Sequence, residues 1–292
     1  MTEDIREYAC IACGHCGYSC PPAHHRKAFS PRLFVEQHRQ GRFEQMDLWS
    51  CMTCSACAEI CPENVDFPSF MRAQRAKRRK DSLPVRTHAG MIDSMRDLDA
   101  TGKGAGRRFD WLADDLQIDD DSEVALFVGC LPMLDVIFKD IRPDLLDIPR
   151  SAIRLLNLMG IRPRLLTEER CCGHDAYWLG DMETFQRLAG MNREAFACAG
   201  VKEIVTVCPE CSHTLSSVYD KEIGPSDVRV RHISLLADEA VKNGILKFDK
   251  TPMKMTYQDP CRLGRHSGIF DEPRDLIRQM AILKEMPRHG PL

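Results

Sequence analysis

The run Cys10-Ile-Ala-Cys13-Gly-His-Cys16-Gly-Tyr-Ser-Cys20-Pro21 recurs along the chain as Cys51-Met-Thr-Cys54-Ser-Ala-Cys57-Ala-Glu-Ile-Cys61-Pro62. In each run, two-residue gaps separate the first three cysteines, so one loop is able to wrap three thiolates around a common centre. The fourth cysteine follows three residues later and points away along the next turn. Each run is therefore expected to supply three ligands to its own centre and one to the centre of the other run.

This C-x2-C-x2-C-x3-C-P spacing is that of two-cluster ferredoxins, and it predicts two [4Fe-4S] cubane clusters. The expected ligand sets are Cys10, Cys13, Cys16 and Cys61 for one cluster, and Cys51, Cys54, Cys57 and Cys20 for the other. Small residues between the cysteines leave room for a cluster and free backbone N–H groups to bond its sulfurs. A pair of four-cysteine zinc sites is the alternative, but such sites normally pair two C-x2-C knuckles across a longer gap.

The surrounding sequence predicts an α-helical domain over residues 1–80. Pro31 to Gly41 has helical periodicity and ends at a glycine, and Ser69 to Lys80 forms a second expected helix. The basic run from Arg75 to Lys80 is expected to be a solvated face or, alternatively, a docking surface for an acidic redox partner. His15, His24 and His25 are not expected to be ligands, because thiolates already fill both sites.

Composition favours metal binding over a disulfide framework. Fifteen cysteines fall mostly into short clusters, and the acidic N-terminus lacks a signal-peptide core. The formal net charge of -3 provides no basic field for nucleic acid, and the apolar stretch Ala125 to Leu134 is about half the length of a membrane span. We therefore expect a cytoplasmic protein without a membrane span. Cys198, which stands alone in an expected helix, is expected to be a small buried apolar residue without a redox role.

Residues 81–121 are rich in glycine and charge and are expected to form a linker. The segment Thr101-Gly-Lys-Gly-Ala-Gly106 follows no expected strand and lacks a Lys-Ser/Thr pair. Its glycines are therefore not expected to form a phosphate loop. Trp111 is expected to fix the linker onto one of the two domains.

From Val124 onward, short apolar runs alternate with helical patterns, which predicts a Rossmann-like α/β domain over residues 122–292. The expected strands are Val124 to Val128, Arg162 to Leu166, Glu203 to Val207, Val228 to His232 and Met253 to Tyr257. The expected helices are Ser151 to Met159, Asp181 to Ala199, Ser212 to Lys221 and Ser234 to Lys242. The expected fold class is thus α plus α/β, with an α-helical two-cluster ferredoxin domain first.

Five cysteines follow the expected strands, where an open α/β sheet binds its ligands. They are Cys130, Cys171, Cys172, Cys208 and Cys211. Five thiols exceed what one zinc ion or an ordinary cubane uses, so a larger or open cluster is expected. Gly173 allows close backbone approach, and the helix expected to begin after Cys208 favours thiolates through its dipole.

With these motifs the chain resembles the heterodisulfide reductase superfamily, in which cysteine-rich CCG domains follow or accompany a ferredoxin domain. The resemblance is carried by Cys130, Cys171-Cys172-Gly173, Cys208-Pro-Glu-Cys211 and Asp259-Pro-Cys261-Arg-Leu-Gly-Arg265. It implies that the five cysteines hold a noncubane [4Fe-4S] cluster; zinc at this site is the alternative. The last motif resembles the opening of a second CCG repeat, from about residue 252, and makes Cys261 a further candidate ligand.

This second repeat is expected to be incomplete. Cys130 precedes Cys171 by 41 residues, and the same spacing from Cys261 falls at about position 302, beyond Leu292. The family mechanism holds a disulfide between two noncubane clusters, so the resemblance implies that mechanism only if the missing half lies in a longer natural chain or comes from another polypeptide. Cys261 is then an orphan ligand or part of a structural relic.

Three hypotheses of function follow. The first is an oxidoreductase subunit that passes single electrons through two cubanes to the noncubane cluster for thiol/disulfide chemistry, with His174 and Asp175 as candidate proton donors. The second is an electron relay between a flavin dehydrogenase and a quinone or cytochrome b module. The third is a ferredoxin with a structural zinc-bound CCG domain. The expected partners are other subunits of a redox complex, a flavoprotein or a membrane cytochrome b, through which the chain would lie peripherally at the membrane.

Overall fold

The computed structural model describes residues 7–26, 28–42, 47–81, 90–102, 108–141, 144–287 and 289–291. It is rich in helices and contains small parallel sheets, so the fold mixes α and β structure. The α-helices are α1 (His15–Ser19), α2 (Pro21–His25), α3 (Pro31–Arg39), α4 (Ala56–Glu59), α5 (Phe67–Asp81), α6 (Met91–Ala100), α7 (Leu131–Ile137), α8 (Asp147–Leu158), α9 (His174–Trp178), α10 (Met182–Cys198), α11 (Pro209–His213), α12 (Tyr219–Ile223), α13 (Ile233–Lys242) and α14 (Asp271–Met280). The strands are β1 (Val124–Phe127), β2 (Glu203–Thr206), β3 (Arg229–His232), β4 (Lys254–Met255) and β5 (Ile282–Leu283). Within the described ranges, none of the helices has the length and apolar character needed to cross a bilayer.

The N-terminal part packs around an aromatic core. Phe34 of α3 lies edge-on to Phe29, with ring centroids 4.7 Å apart, and stacks at 6.2 Å on Phe67 of α5. Cys20 and Cys57 are buried in the same cluster, so the core and the cysteine runs form one body. Both helices predicted here are confirmed, although α5 begins two residues before the predicted start at Ser69.

A three-stranded parallel sheet in the order β1-β2-β3 organises the second part. All three strands were predicted from the sequence and are confirmed. Alternate residues of β1 enter two different cores: Ala125 and Phe127 pack on the side of α10, whereas Leu126 packs on the side of α8. Both faces of the sheet are therefore covered, as the continuous apolar runs predict.

Two other predicted strands differ from the structure. Residues 162–166 contribute only an isolated parallel bridge between Arg164 and Ala125. Pro163 has no N–H to donate, which explains why regular pairing does not extend along this segment. Residues 254–255 form β4, but this strand pairs with β5 in a separate sheet.

The predicted helix Ser212 to Lys221 is also different. The chain forms α11, then a π-helical turn over Thr214–Val218, and then α12. π-helical turns often accompany functional sites. The other predicted helices are confirmed: α10 and α13 agree within one residue at each end, and α8 begins four residues before Ser151.

The segment expected to be a linker contains helix α6, whose Ala100 packs with Cys171 and Leu188. Trp111 is 6% exposed and packs with Leu116 and Leu126, which confirms that it fixes this segment onto the second part of the chain. Gly104 and Gly106, which belong to the glycine-rich segment, lie outside the described residues.

We expect Leu156→Ala to destabilise the protein strongly and Leu158→Ala to have little effect. Leu156 is 0% exposed on the inner face of α8, whereas Leu158, two residues later, is 71% exposed. A buried leucine replaced by alanine costs about 2–5 kcal/mol, and a surface substitution usually less than about 0.5 kcal/mol. Urea unfolding followed by circular dichroism measures both; equal midpoints for the two variants would contradict this packing.

Candidate metal centre

One cavity is lined by five of the eight N-terminal cysteines. Cys10, Cys13 and Cys16 line it from the first run, and Cys61 reaches it from the second; Cys57 also lies on its wall. Burial raises the pKa of the Cys16 thiol, and the nearby Cys10, Cys13 and Cys61 raise it further. The structure thus places Cys61 with the first run, as the ligand set requires.

Cys20 lies with the second run instead. Burial raises the pKa of Cys20 to about 11, and the charges of Cys51 and Cys54 add to this shift. Burial also raises the pKa of Cys57 strongly, with Cys51, Cys54 and Cys20 as the leading charges around it. Ser19 Oγ donates to the carbonyl oxygen of Ala56 at 2.9 Å, which ties the two runs together beside Cys20.

The two runs share an unusual backbone. Ala12 and Thr53 occupy the same position in their runs and have φ values of 60° and 48°. Gly14 and Ser55 are also equivalent, with φ values of 84° and 65°. Residues other than glycine rarely adopt left-handed φ, and such strain is typical of ligand-binding loops.

The five cysteines of the second part form a continuous row of thiol contacts. Cys172 Sγ lies 3.4 Å from Cys211 Sγ. The thiols of three further pairs lie close enough to shift each other's pKa: Cys130 and Cys171, Cys171 and Cys172, and Cys208 and Cys211. The structure therefore brings together all five residues that the sequence predicts at this edge of the sheet.

These contacts divide the thiols by acidity. The Cys130 and Cys172 thiols hold the pKa of Cys171 well below its usual value, and the Cys211 thiol lowers the pKa of Cys208. The other three, Cys130, Cys172 and Cys211, have raised pKa values because each donates in at least one such contact and is buried.

The donor set fits an iron–sulfur group. Thiolates are the usual ligands of such groups, and a row of five suits several iron atoms. The backbone at Gly129 packs closely against this row, because an added Cβ there would come within 3.3 Å of Cys211 Sγ. Among the described residues, no group of three or more His, Cys, Asp or Glu side chains is arranged to hold a single metal ion.

Buried polar side chains hold the backbone at Cys171 and Cys172. Asn192 Nδ2 donates to the carbonyl oxygen of Cys171 at 3.1 Å, while its Oδ1 accepts from the N–H of Arg170 at 2.7 Å. Tyr219 O–H donates to the carbonyl oxygen of Cys172 at 3.1 Å. Asn192 and Tyr219 are 0% and 1% exposed, so water does not compete for these bonds.

A second group of buried polar side chains links the Cys171-Cys172 segment to the turn that carries Cys130. Glu169 Oε1 accepts hydrogen bonds from the N–H groups of Val128 and Gly129, at 3.1 and 3.0 Å, and from Arg108. Burial raises the pKa of Glu169 to about 7, although Arg108 opposes the shift. The turn that carries Cys130 is thereby fixed to the residue two positions before Cys171.

The cysteine runs and the thiol row meet through Arg75 of α5, which is 4% exposed. Its guanidinium donates to the carbonyl oxygens of Leu48, Cys51 and Trp178, with Nη1 2.8 Å from the Trp178 oxygen. Trp178 ends α9, the helix that begins after Gly173. One arginine therefore joins the second cysteine run to the helix beside the thiol row.

The basic run from Arg75 to Lys80 is solvated only in part, because Lys77 is exposed whereas Arg75 and Arg79 contact the second part of the chain. Arg79 forms an ion pair at 2.9 Å with Asp181, the residue that caps α10. Arg72 lies 4.3 Å from the centre of the Tyr177 ring. These arginines contact this chain's own second part; the side chain of Lys80 lies outside the described residues.

The Asp259–Arg265 motif makes a second connection between the second cysteine run and the C-terminal part of the chain. Arg262 donates to Thr53, with Nη1 2.8 Å from its carbonyl oxygen and Nη2 2.6 Å from its Oγ1. Arg265 Nε donates to the carbonyl oxygen of Cys54 at 2.6 Å. The motif thus binds the loop of the second cysteine run.

Two protein-family models match this chain, one in each cysteine-rich region. The 4Fe-4S dicluster domain family matches residues 7–65, and the cysteine-rich domain family, CCG, matches residues 124–216. Similar proteins include one subunit of the dihydromethanophenazine:CoB–CoM heterodisulfide reductase of Methanosarcina mazei, 25% identical over 96% of this chain and 75% of its own length. One subunit of the fumarate reductase (CoM/CoB) of Methanothermobacter marburgensis is 26% identical over 99% of this chain and 58% of its own length. In both matched regions the chain is similar to iron–sulfur proteins of the heterodisulfide reductase type.

The EtfAB:quinone oxidoreductase of Syntrophomonas wolfei is also similar, 27% identical over 92% of this chain and 44% of its own length. This heterodisulfide reductase-like chain therefore spans about half the length of several of its relatives. No solved structure matches it. These relatives are named as oxidoreductases or as subunits of them.

Other residues predicted for the heterodisulfide reductase-like site lie around the row. His174 is buried, with Nε2 3.4 Å from Glu210 Oε1, and burial holds its pKa well below its usual value. Asp175 has its pKa raised to about 7, chiefly by burial. Cys261 lies near Cys54 and Glu210 and is not part of the thiol row. Cys198 is exposed, so the expectation that it is buried is wrong.

Sequence reasoning missed several residues that hold the site. Asp99 of α6 accepts a hydrogen bond from the N–H of Cys171 and lies 3.9 Å from Arg108. It falls in the segment expected to be a linker, where an aspartate resembles any solvated charge. The isolated polar residue Asn192 within the otherwise apolar inner face of α10 is a signal that could have been used.

We expect Gly180→Ala to disturb the contact between α5 and the second part of the chain. A Cβ at Gly180 would lie 2.7 Å from Ala76 Cα and 2.9 Å from Ala76 Cβ, closer than packed atoms approach. Gly160→Ala is the matched control, because Gly160 has a similar φ of 79° and nothing within 4 Å of the added atom. Both variants share the backbone strain of about 1 kcal/mol.

Hydrogen exchange along α5 separates the two effects. Gly180→Ala should accelerate exchange in α5 at least tenfold, whereas Gly160→Ala should leave it unchanged. Equal protection of α5 in the two variants would contradict the close contact at Gly180.

Proposed function

We propose that this chain passes single electrons from two [4Fe-4S] cubanes to a noncubane [4Fe-4S] cluster, where a thiol/disulfide pair is interconverted. The proposed sets are Cys10, Cys13, Cys16 and Cys61; Cys51, Cys54, Cys57 and Cys20; and Cys130, Cys171, Cys172, Cys208 and Cys211. Bound clusters supply the one-electron chemistry, and the chain supplies ligands, burial and orientation. The proposed domains are residues 1–80, a linker over 81–121, and a Rossmann-like CCG domain over 122–292.

The observation that carries this proposal is the shared contact between the second cysteine run and the helix beside the thiol row. Arg262 binds Thr53 on one side and lies 4.0 Å from the centre of the Trp178 ring on the other. Trp178 belongs to α9, which follows Cys172 and Gly173 directly. This packing supports an electron path from the second run to the five thiols.

Disulfide chemistry is supported by the soft, thiolate-rich character of the row, since iron bound by thiolates is able to accept a further sulfur ligand. Release of a thiolate consumes protons. We propose His174 and Asp175 as the proton-handling residues on position alone, because they follow the Cys171-Cys172-Gly173 triplet at the start of α9. Cys261 remains an additional candidate ligand that the row does not include.

A relay without disulfide chemistry is the second candidate, favoured by the relative named as a quinone oxidoreductase. In that case the CCG site would contact a flavoprotein dehydrogenase or a cytochrome b/quinone module. The proposed location is then the cytoplasmic face of a membrane, reached through those partners.

Metal content tests the cluster assignment and the zinc alternative together. We expect about twelve irons with matching acid-labile sulfide per chain purified without oxygen, because three four-iron groups are proposed. Cys171→Ser should reduce this to about eight irons. Cys198→Ser is the matched control and should retain about twelve, since Cys198 lies outside every thiol contact described above. About eight irons with one zinc in the unsubstituted chain would support a structural zinc site instead.

Thiol addition distinguishes the two redox hypotheses. If a sulfur substrate binds the CCG group, low-molecular-weight thiols or disulfides should change its electron paramagnetic resonance spectrum and leave the cubane spectra unchanged. Cys171→Ser should abolish the change. Spectra that thiols do not alter, together with electron transfer to a quinone analogue, would favour the relay.

A further inference from the structure

Arg262 is a buried cation that is hydrogen-bonded to the loop of the second cysteine run. It is 3% exposed, and two of its nitrogens bind the carbonyl and hydroxyl oxygens of Thr53, which lies between Cys51 and Cys54. Nη1 also lies 2.6 Å from Nε2 of His266, whose same nitrogen lies 2.9 Å from the Thr53 oxygen. Position and orientation of this guanidinium are therefore fixed by several contacts.

Ionisable thiols and one carboxyl group lie around Arg262. Burial lowers its pKa, whereas the charges of Cys261, Glu210, Cys54 and Cys51 raise it. Cys51 and Cys54 belong to the second cysteine run, and Glu210 lies between Cys208 and Cys211 of the thiol row. Among the described residues, Arg262 Nε has no hydrogen-bond partner, so the cation is not neutralised by a dedicated carboxylate at that atom.

The first cysteine run has a different kind of arginine. Arg39 Nη2 donates to the carbonyl oxygens of Glu7 and Cys10, at 2.8 and 3.2 Å, so it also binds a cysteine-bearing loop. Arg39 is exposed. Water and salt screen an exposed charge, whereas a buried charge acts on its neighbours through a medium of low dielectric constant.

We propose that the buried charge of Arg262 selectively raises the reduction potential of the cluster held by Cys51, Cys54, Cys57 and Cys20. The inference rests on the proposed function, because it requires both cubanes. Reduction adds one electron to the cluster, with no bond formed and no proton taken up. Arg262 stabilises that added negative charge electrostatically and does not itself accept the electron.

Burial works in the opposite direction. A low-dielectric environment disfavours added negative charge, whereas the nearby cations Arg75 and Arg262 favour it. Arg75 also holds three carbonyl oxygens and the α5 contact, so its removal would change structure as well as charge. Arg262 is the better residue for isolating the charge.

Redox titration of the full chain, loaded with iron and reduced stepwise with dithionite, tests the inference by electron paramagnetic resonance. Cys13→Ser alters the signal of the first cubane and so identifies it. Arg262→Gln should lower the potential of the other cubane by at least 59 mV, a tenfold change in its reduction equilibrium for one electron. Arg262→Lys keeps the charge, so its second cubane should shift in potential by less than 59 mV. Arg39→Gln should shift the potential of neither cubane by as much as 59 mV.

Several outcomes would overturn the inference while leaving the proposed function intact. These are an unshifted second cubane in Arg262→Gln, an equal shift of both cubanes, or an equal loss of potential in Arg262→Lys. Arg262→Met provides a second neutral variant; if neither neutral variant retains iron in the second site, Arg262 serves loading rather than potential and the inference fails. Absence of two cubane signals from the unsubstituted chain would instead refute the proposed function.

Discussion

The cysteine-bearing loops depend on buried side chains that satisfy their backbone polar groups. A buried carbonyl or amide without a partner is costly, and loops that turn sharply around a centre leave many such groups unpaired. Here Arg75 binds the Cys51 carbonyl, Asn192 the Cys171 carbonyl and Tyr219 the Cys172 carbonyl. Because these partners come from distant helices, the local geometry of each thiol group is a property of the whole fold.

The same contacts join the two parts of the molecule. Arg75 extends from the N-terminal part to Trp178, and Arg262 extends from the C-terminal motif back to Thr53. Asp181 adds a third connection, since it pairs with Arg79 and with Arg96 of α6. Most of these connecting side chains are arginines, which lie between groups of thiols that carry negative charge when ionised. This arrangement limits the repulsion that would arise from bringing many thiolates together.

Much of the thiol grouping follows from sequence because it is encoded in short spacings and in strand ends. The C-x2-C-x2-C-x3-C-P pattern predicted that Cys61 lies with the first run and Cys20 with the second, and the structure places them so. The supporting residues could not be found in this way. Arg75 and Asp99 lie in stretches where a charged residue usually faces water, and only the folded chain shows that their partners are far away in sequence. Pro163 shows the reverse case, in which an apolar run resembled a strand but lacked the donor needed for pairing.

The exchange of Cys20 and Cys61 between the two runs has a consequence for assembly. Bringing Cys61 beside Cys10, Cys13 and Cys16 closes a long loop of chain, and the same closure brings Cys20 beside Cys51. A single loop closure, with its single entropic cost, therefore serves both sites. A cluster bound at either site would therefore preorganise the ligands of the other.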